Sequence, residues 1–324
     1  MANIKDVAKL AGVSTSTVSL VLNRKGYVSE AMRNRVEAAV EKLHYVPSEV
    51  ARNLSLNRTN LIGVIIPDVA HPFFASLLHE IEISLYRYGY KTMVCSTCVE
   101  ENAELAFLDM LQRHTMDGLI VGAHALHLES YQNAKLPIVA FDRYLSEDIP
   151  IVRADHVQGG QLSAKALLRH HPSHVVQITG SPGINTTAHA HEDAFSECIR
   201  SAGVRIDSIV MPDNAFRHED FASAAHEIFE LYPDVDAISG TDLGAVYALK
   251  EAWARGISVP EALSIVAYDG TYLTKLCPQT LTAVVQPMSA LGQKAAEAIV
   301  SLIRDEELPS LEPLEMGFQQ GETC

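Results

Sequence analysis

Short apolar runs alternate with helical segments through residues 61–324, and this alternation limits the possible folds more than any other feature. The run Leu61-Ile62-Gly63-Val64-Ile65-Ile66 lacks polar alternation, as expected of a strand buried on both faces. Similar runs predict strands at Tyr90–Val94, Gly118–Val121, Pro137–Phe141, Val175–Ile178, Ser208–Met211, Ala237–Ser239 and Ser264–Tyr268. Strands separated by helices in this way form parallel, doubly wound sheets.

The alternation restarts after Phe141, so we expect two such lobes rather than one. The intervening helices are predicted at Phe73 to Gly89 and at 187–202, 219–231, 242–255 and 288–304. With 324 residues, of which 48% are hydrophobic, the chain can bury a large core. The predicted organisation is an all-α head at 1–46, a hinge and linker at 47–60, and an α/β core of two doubly wound parallel-sheet lobes at 61–324.

The head is predicted to contain three short helices. Asn3 can cap the first and Gly12 can end it. Ser14 can cap a second helix from Thr15 to about Asn23, and a third follows from near Ser29 to about His44. Two helices joined by a turn that contains glycine are typical of a helix-turn-helix, whose second helix enters the major groove of DNA.

Polar and basic residues in the head favour DNA as its partner. Residues 1–60 hold nine Lys/Arg and five Asp/Glu, a net charge of +4, whereas the rest of the chain carries −19. Short hydroxyl side chains on the second helix allow close approach to phosphates and bases. The candidate contacts are Ser14, Thr15, Ser16, Thr17, Ser19, Leu20 and Asn23. The alternative is a small three-helix bundle with ordinary Ser/Thr caps.

The segment after the head contains a second helical signal. Pro47 is expected to stop the third helix, and Ser48 can cap about two turns that end before Asn57. An isolated helix needs ~12–15 residues to be stable in water, so this one would need a packing partner.

Several motifs carry a resemblance to a known family. The sequence contains Ile4-Lys5-Asp6-Val7-Ala8, Ala11-Gly12-Val13-Ser14-Thr15-Ser16-Thr17-Val18-Ser19, Asn23, and Val50-Ala51-Arg52. It resembles the lactose/galactose repressor family of bacterial transcription regulators. The resemblance implies a homodimer that binds near-palindromic double-stranded operator DNA and is controlled by a small effector. It also implies a core with the two-lobed fold of periplasmic sugar-binding proteins.

The resemblance assigns roles to residues of the head and hinge. Thr15, Ser16 and Leu20 fall at base-reading positions, although apolar Leu20 suits a thymine methyl better than a hydrogen bond. Leu54 would be an apolar wedge in the minor groove. The implied hinge contacts are Arg52, Asn53, Leu54 and Ser55.

Effector contacts are expected directly after strands, because ligands of such sheets bind outside the carboxyl ends of the strands. The candidates are Phe73, Phe74, Asp142, Arg143, His191, Phe216, Asp242 and Asp269. One of the two adjacent phenylalanines is expected in the core, and each aspartate has helix capping as its alternative. His191 aligns where the family usually has an arginine, so the chemistry of this position differs.

Other clusters predict neither a metal site nor a cofactor. His189 and His191 form an H-x-H without a third ligand in the sequence. In the C-x-x-C at Cys95 and Cys98, the first is expected to be buried and the second to lie in a loop. We expect His170, His171 and His174, at a helix-to-strand turn, to be solvated.

Two other function classes are less consistent with the sequence. A transport-binding protein would need a secretion signal and no head, and an enzyme would need a nucleophile–base pair or a phosphate loop. The polar N-terminus, the five cysteines without a disulfide framework and the lack of a long apolar run predict a cytoplasmic protein without membrane contact. Because no apolar heptad follows the last helix, we expect a dimer and not a stable tetramer. The effector is expected to be a sugar, with a nucleobase corepressor as the alternative.

The hinge hypothesis predicts a specific effect of Leu54→Ala. Residues 48–56 would become helical only on the operator, where paired Leu54 side chains would kink the duplex. We expect weaker operator binding and less bending, with little change in nonspecific affinity, which comes mainly from phosphates. Operator affinity and bend angle, measured beside wild type at one salt concentration, test this. Unchanged values for both would contradict the wedge.

Overall fold

The computed structural model describes residues 2–23, 26–47, 53, 58–97, 103–122, 128–131, 136–184 and 186–324. The chain divides into two compact units, Met1–Thr59 and Asn60–Cys324, which we call the head and the core. The predicted fold class is confirmed: the head is α-helical, and the core contains two α/β lobes.

In the described part of the head, three helices pack around a small apolar core. They are α1 (Ile4–Ala11), α2 (Thr15–Leu22) and α3 (Glu30–Lys42). Asn3 caps α1 in a capping box with Asp6, and Gly12 ends it in the left-handed region with φ of 62°. Val7, Val18 and Val36 are fully buried between the helices.

The third helix ends earlier than the proline alone would require. After Lys42, His44 adopts the left-handed region with φ of 46°. The Tyr45 amide donates to the Val40 carbonyl at 3.0 Å and the His44 amide donates to Glu41 at 3.1 Å. This pair of bonds is a Schellman motif, which satisfies the last carbonyls of the helix and turns the chain. Pro47 therefore lies beyond the end of the helix.

Lobe 1 is built on a five-stranded, fully parallel sheet. Its strand order is β2-β1-β3-β4-β5. The elements in chain order are β1 (Leu61–Ile66), α4 (Pro72–Arg87), β2 (Lys91–Ser96), α5 (Ala103–Gln112), β3 (Gly118–Val121), a 3-10 turn (Leu128–Tyr131), β4 (Ile138–Phe141) and β5 (Ile151–Val152).

Lobe 2 is built on a six-stranded sheet of order β11-β10-β9-β8-β6-β7. Only β11 is antiparallel to its neighbour. The remaining elements are α6 (His156–Leu168), β6 (His174–Thr179), α7 (His189–Ser201), β7 (Arg205–Val210), α8 (His218–Leu231), β8 (Ala237–Thr241), α9 (Asp242–Ala254), β9 (Ser264–Asp269), α10 (Leu273–Leu276), β10 (Thr282–Val285), α11 (Met288–Arg304) and β11 (Gly317–Gln319).

The chain passes between the lobes three times. It enters lobe 2 after β5 and returns after β10, since α11 packs against α4 of lobe 1 with Gly292 against the backbone of Glu80 and Ile81. It crosses again before β11, where Leu314 pairs with Arg153 and Asp155 through backbone bonds of 3.1 and 2.7 Å. Three segments of the chain thus join the two lobes.

Most predicted strands and helices of the core lie within two or three residues of the observed ones. The strands β5, β10 and β11, of two, four and three residues, were not predicted. Within the described ranges, no helix is long and apolar enough to span a membrane.

The prediction that the histidines before β6 are solvated is wrong for one of them. His170 and His171 are exposed, but His174 is only 2% exposed. Its Nδ1 lies 3.0 Å from Asp234 Oδ1 and its Nε2 lies 2.9 Å from Asp207 Oδ2. These carboxylates come from other elements of lobe 2, so the local sequence around His174 could not show that it is buried.

Helices α6 and α7 pack so closely that Gly160 cannot carry a larger side chain. A Cβ at this position would lie 2.3 Å from the His191 carbonyl oxygen and 2.9 Å from the Phe195 amide. We expect Gly160→Ala to lower the free energy of unfolding by about 1–3 kcal/mol or more, despite the better helix propensity of alanine. Urea unfolding measures this. Gly183→Ala, where the nearest atom is 3.6 Å away, is the matched control and should be nearly neutral. Equal stability of the two variants would contradict the close packing.

Candidate functional site

The second helix of the head presents an outward face that is free to contact another molecule. Thr15, Ser16 and Leu20 are all exposed, Leu20 by 40%. In the described part of the chain, no hydrogen bond is made by the side chains of Thr15 and Ser16. Their position matches the one expected of a recognition helix.

The other predicted contacts on this helix also have structural roles. Ser14 Oγ accepts from the Thr17 amide at 3.1 Å and lies 2.9 Å from Thr17 Oγ1, so both hydroxyls help to begin the helix. Asn23 Nδ2 donates to the carbonyl and to the hydroxyl of Ser19, at 2.9 and 3.2 Å, and so ends it.

The hinge contacts are only partly covered by the structure. Arg52, Leu54 and Ser55 lie outside the described residues. Asn53 is described, and its Nδ2 donates to the Thr59 carbonyl at 2.9 Å.

In the core, a cavity of about 210 Å³ lies where the carboxyl ends of the strands of both lobes meet. Lobe 1 contributes residues that follow β1, β3 and β4, and lobe 2 contributes residues that follow β6, β7 and β9. This arrangement follows from parallel strands, whose side chains and loops at one sheet edge converge. Of the eight predicted effector contacts, seven line the cavity: Phe73, Phe74, Asp142, Arg143, His191, Phe216 and Asp269.

A hydrogen-bonded chain crosses from lobe 1 to lobe 2 at this cavity. Asp142 Oδ1 lies 2.7 Å from His156 Nε2, and His156 Nδ1 lies 2.8 Å from the Tyr268 hydroxyl. All three side chains are nearly buried. Since an ionised carboxylate only accepts, His156 Nε2–H donates to Asp142, and in the neutral imidazole the Tyr268 hydroxyl donates to Nδ1.

Asp142 is held in place by further bonds from lobe 2. Thr187 Oγ1 donates to Asp142 Oδ1 at 3.1 Å, and the Thr186 hydroxyl donates to the Asp142 carbonyl at 2.6 Å. Its φ is 49°, a left-handed conformation that aspartate tolerates better than most residues. Within the described ranges, Oδ2 of this carboxylate makes no hydrogen bond, so it is available to a ligand.

His191 forms a flat wall of the cavity together with Tyr268. The two rings are stacked, with centroids 3.8 Å apart and an angle of 17° between their planes. His191 Nδ1 donates to the Ala188 carbonyl at 2.6 Å. Burial lowers the pKa of His191 to about 4, so the ring is neutral near pH 7 and carries its lone pair on Nε2.

Asp269, at the end of β9, is an unusually constrained carboxylate. Its φ is 117°, and its Oδ1 accepts from Gln286 Nε2 at 2.9 Å. Burial raises its pKa well above the ordinary value, and the neighbouring Asp242 carboxylate adds to the effect. Such strain and desolvation are common at ligand sites, where the ligand compensates for them.

Asp242 was predicted to contact the effector, but it does not line the cavity. Its oxygens accept from the Gly270 amide at 3.1 Å and from the amide and hydroxyl of Thr271, both at 2.6 Å. These bonds hold the turn after β9 and thereby position Asp269. Burial raises the pKa of Asp242 to about 7, and these bonds oppose that rise.

Aromatic side chains close the cavity from both lobes. Phe73 is 8% exposed and belongs to the lobe 1 core, whereas Phe74 is half-buried and turns toward Phe216 of lobe 2, with ring centroids 5.6 Å apart. His71 contacts the same two rings at 5.4 and 5.8 Å. Burial lowers the pKa of His71 to about 4, so it is neutral as well.

Arg143 lines the cavity but is also part of a buried charge cluster in lobe 1. The nearby Glu104 carboxylate and Tyr131 oppose the lowering of its pKa by burial, and Tyr131 in turn donates to Glu104. Its positive charge is therefore offset by a buried carboxylate. Because Glu104 is distant from Arg143 in the sequence, this pairing could not be predicted from the sequence.

Sequence reasoning missed four residues of this site: His71, His156, Tyr268 and Gln286. His71 and Tyr268 had a usable signal, since His71 lies in the loop after the first predicted strand and Tyr268 ends another. Gln286 follows β10, which was not predicted, and His156 opens a helix that joins the lobes. Within the described residues, no group of three or more His, Cys, Asp or Glu could hold a metal ion.

The raised pKa of Asp269 gives a stability prediction with a definite sign. A carboxyl whose pKa is higher in the folded than in the unfolded chain destabilises the fold at pH values above its unfolded pKa. We expect Asp269→Asn to raise the Tm of the ligand-free protein at pH 7 by about 2–4 °C, equivalent to roughly 1 kcal/mol. Asparagine also tolerates positive φ. The gain should shrink as the pH is lowered toward 4.

Thermal unfolding across this pH range measures the effect. Asp142→Asn is the matched control and should not stabilise, because it weakens the bond from His156. A lower Tm for Asp269→Asn at pH 7 would contradict the conclusion that the buried Asp269 carboxyl destabilises the fold.

Comparison with known proteins identifies the family. Residues 3–48 match the family described as bacterial regulatory proteins, lacI family. Residues 59–312 match the family described as periplasmic binding proteins and sugar binding domain of LacI family. The chain resembles the sucrose operon repressor of Streptococcus mutans, with 32% identity over 100% of this chain and 99% of the relative. It also resembles the ribose operon repressor of Bacillus subtilis, with 36% identity over 95% and 94% of the two chains.

A solved structure shows the same fold. The lac repressor dimer bound to operator and the anti-inducer ONPF has a TM-score of 0.87 and 21% identity, and the match covers 99% of this chain and 98% of that one. The head and the core thus both match models of a family of regulators rather than of enzymes, in agreement with the sequence analysis. The chain belongs to the LacI family of bacterial regulatory proteins and is a DNA-binding transcription regulator.

Proposed function

We propose that this regulator represses a sugar-utilisation operon in the cytoplasm and is controlled by a small sugar bound between the lobes of its core. The observation that carries the proposal is the cavity itself, in which carboxylates from both lobes face one small space. Charged acceptors form strong hydrogen bonds to hydroxyl groups, and aromatic rings cover the apolar faces of a sugar. Relatives named as sucrose and ribose operon repressors support the same effector class.

The proposed switch is closure of the two lobes on the ligand. Asp142 belongs to lobe 1 and Asp269 to lobe 2, so one ligand that bonds to both stabilises the closed arrangement. A ligand shifts such an equilibrium only through its different affinity for the two states. We propose that closure acts on the predicted hinge at 48–56, of which only Asn53 is among the described residues, and opposes the helix formation that we propose for it on the operator.

The homodimer is supported by an exposed apolar surface on lobe 1. Met93 and Val94 lie on the edge strand β2 and are 36% and 39% exposed, and Tyr86 on the adjacent helix is 74% exposed. Edge strands with apolar side chains are usually covered by a partner. A second copy of the chain is the partner we propose, because two symmetric heads are needed for a palindromic operator.

The central test is a gel shift of promoter DNA with and without sugars, repeated with Asp269→Asn. We expect one sugar to change operator binding by the wild type and to have no effect on the variant, because the variant removes a carboxyl group that hydrogen-bonds the ligand, and a lost buried partner costs roughly 1–3 kcal/mol. Operator affinity without sugar should be unchanged, since the head is a separate unit. Calorimetry that shows equal sugar affinity in both proteins would exclude Asp269 from the site.

Leu20 provides a test of the head. We expect Leu20→Ala to weaken specific operator binding by roughly tenfold, or about 1–3 kcal/mol for one lost base contact, with little change in Tm. The matched control is Leu10→Ala, since Leu10 on α1 is similarly exposed at 45% but is not on the predicted recognition helix. If the two variants bind the operator equally well, Leu20 does not read a base.

A further inference from the structure

We infer that the effector is an uncharged, hydroxyl-rich molecule, such as an unphosphorylated sugar, and that His191 Nε2 accepts a hydrogen bond from one of its hydroxyl groups. This inference rests on the proposed function and narrows it, because it excludes sugar phosphates and sugar acids. It also makes His191 a determinant of specificity rather than a passive part of the wall.

Several acceptor atoms of the cavity wall make no hydrogen bond within the described ranges. Asp142 and Asp269 each use one carboxylate oxygen in protein hydrogen bonds and keep Oδ2 for a ligand, as judged over the described ranges. The Oε1 atom of Gln286 is buried and makes no hydrogen bond within the described ranges. A buried acceptor without a partner is costly, so a ligand that donates to it is favoured.

The ring of His191 adds a fixed acceptor to this set. Its Nδ1 proton is committed to the Ala188 carbonyl, and stacking on Tyr268 fixes the ring plane. The close contact with Gly160 holds the backbone of His191 against α6. The described part of the chain supplies no hydrogen-bond partner for Nε2. A neutral Nε2 can accept from a hydroxyl but cannot donate to a phosphate or carboxylate oxygen.

The positive groups in the wall have their charges offset within the protein. His189 Nδ1 lies 3.0 Å from Glu192 Oε2, and its Nε2 lies 2.8 Å from the Ile184 carbonyl, so both ring nitrogens are used. Arg143 lies near the buried Glu104 carboxylate. An anionic ligand would therefore meet no cation without a nearby carboxylate among the described residues of the wall, and it would face the Asp142 carboxylate.

A recess that shares four lining residues with the cavity is also rich in carboxylates. This polar recess beside Phe216 contains three carboxylates, of Asp68, Asp213 and Asp220, and one guanidinium, of Arg217. Asp68 belongs to lobe 1, whereas the other residues belong to lobe 2. The net negative charge of this recess lowers the local concentration of anions and leaves that of neutral ligands unaffected.

The protonation of His191 can be measured without knowing the effector. Nitrogen-15 NMR of the ligand-free full-length protein, labelled at histidine, reports the tautomer of each ring. We expect His191 to be neutral and protonated on Nδ1 from pH 6 to 8. An imidazolium or an Nε2-protonated ring at His191 would overturn the inference.

Calorimetry with matched ligand pairs tests the effector class on the full-length protein. The pairs are D-ribose and ribose 5-phosphate, D-fructose and fructose 6-phosphate, and D-glucose and glucose 6-phosphate, with adenine as the nucleobase alternative. We expect at least one free sugar to bind and its phosphate to bind at least tenfold more weakly. A phosphate or adenine that binds more tightly than every free sugar would overturn the inference.

The role of His191 is tested with the free sugar that binds. His191→Phe keeps a ring to stack on Tyr268 but removes the acceptor, so we expect at least a tenfold loss of affinity, with no loss for the exposed control His170→Phe. Unchanged affinity in His191→Phe contradicts the assigned contact. A sugar phosphate that releases operator DNA refutes the inference alone, whereas a panel in which nothing binds or alters operator binding refutes the proposed function with it.

Discussion

The hydrogen-bonded chain of Asp142, His156 and Tyr268 is the interaction on which the arrangement of the core depends. It joins a strand end of lobe 1 to a strand end of lobe 2 through the first residue of the connecting helix. Because the three groups are buried, loss of one partner leaves the others without compensation in a medium of low dielectric constant. The same chain orients the Asp142 carboxylate and supports the ring on which His191 stacks. The relative position of the lobes and the shape of the cavity are thus determined together.

Sequence patterns predicted those strands, turns and site residues whose positions depend on the local sequence. Uninterrupted apolar runs such as Leu61–Ile66 indicated the strands of both sheets, and the left-handed position of Gly12 indicated the turn between the first two helices. Seven of eight candidate cavity residues lie where the rule of strand ends placed them. That rule needs only strand direction and strand ends, both of which are local properties. It could not show that α11 packs on lobe 1 while β11 pairs in lobe 2, since these choices depend on contacts distant in sequence.

Partners distant in sequence also explain the polar residues that were misjudged. Asp242 follows a strand, as a ligand contact would, yet its acceptors are used by Gly270 and Thr271. His174 follows a polar turn, yet two carboxylates bury and hold it. In both cases, a backbone or side-chain partner that lies at least 28 residues away decides the role. Asp269 differs because its surroundings leave it strained and desolvated, the pattern expected where function has been favoured over stability.

The distribution of charge along the chain favours both operator DNA and an uncharged effector as partners. The first 60 residues carry a net charge of +4 and the remainder −19, so the polyanion attracts the head and repels the body. The same negative body surrounds a cavity whose cations are offset by Glu192 and Glu104. The net negative charge of residues 61–324 disfavours a phosphorylated effector, whereas it has no such effect on a neutral sugar. The charge that keeps the core off DNA therefore also helps to select an uncharged effector.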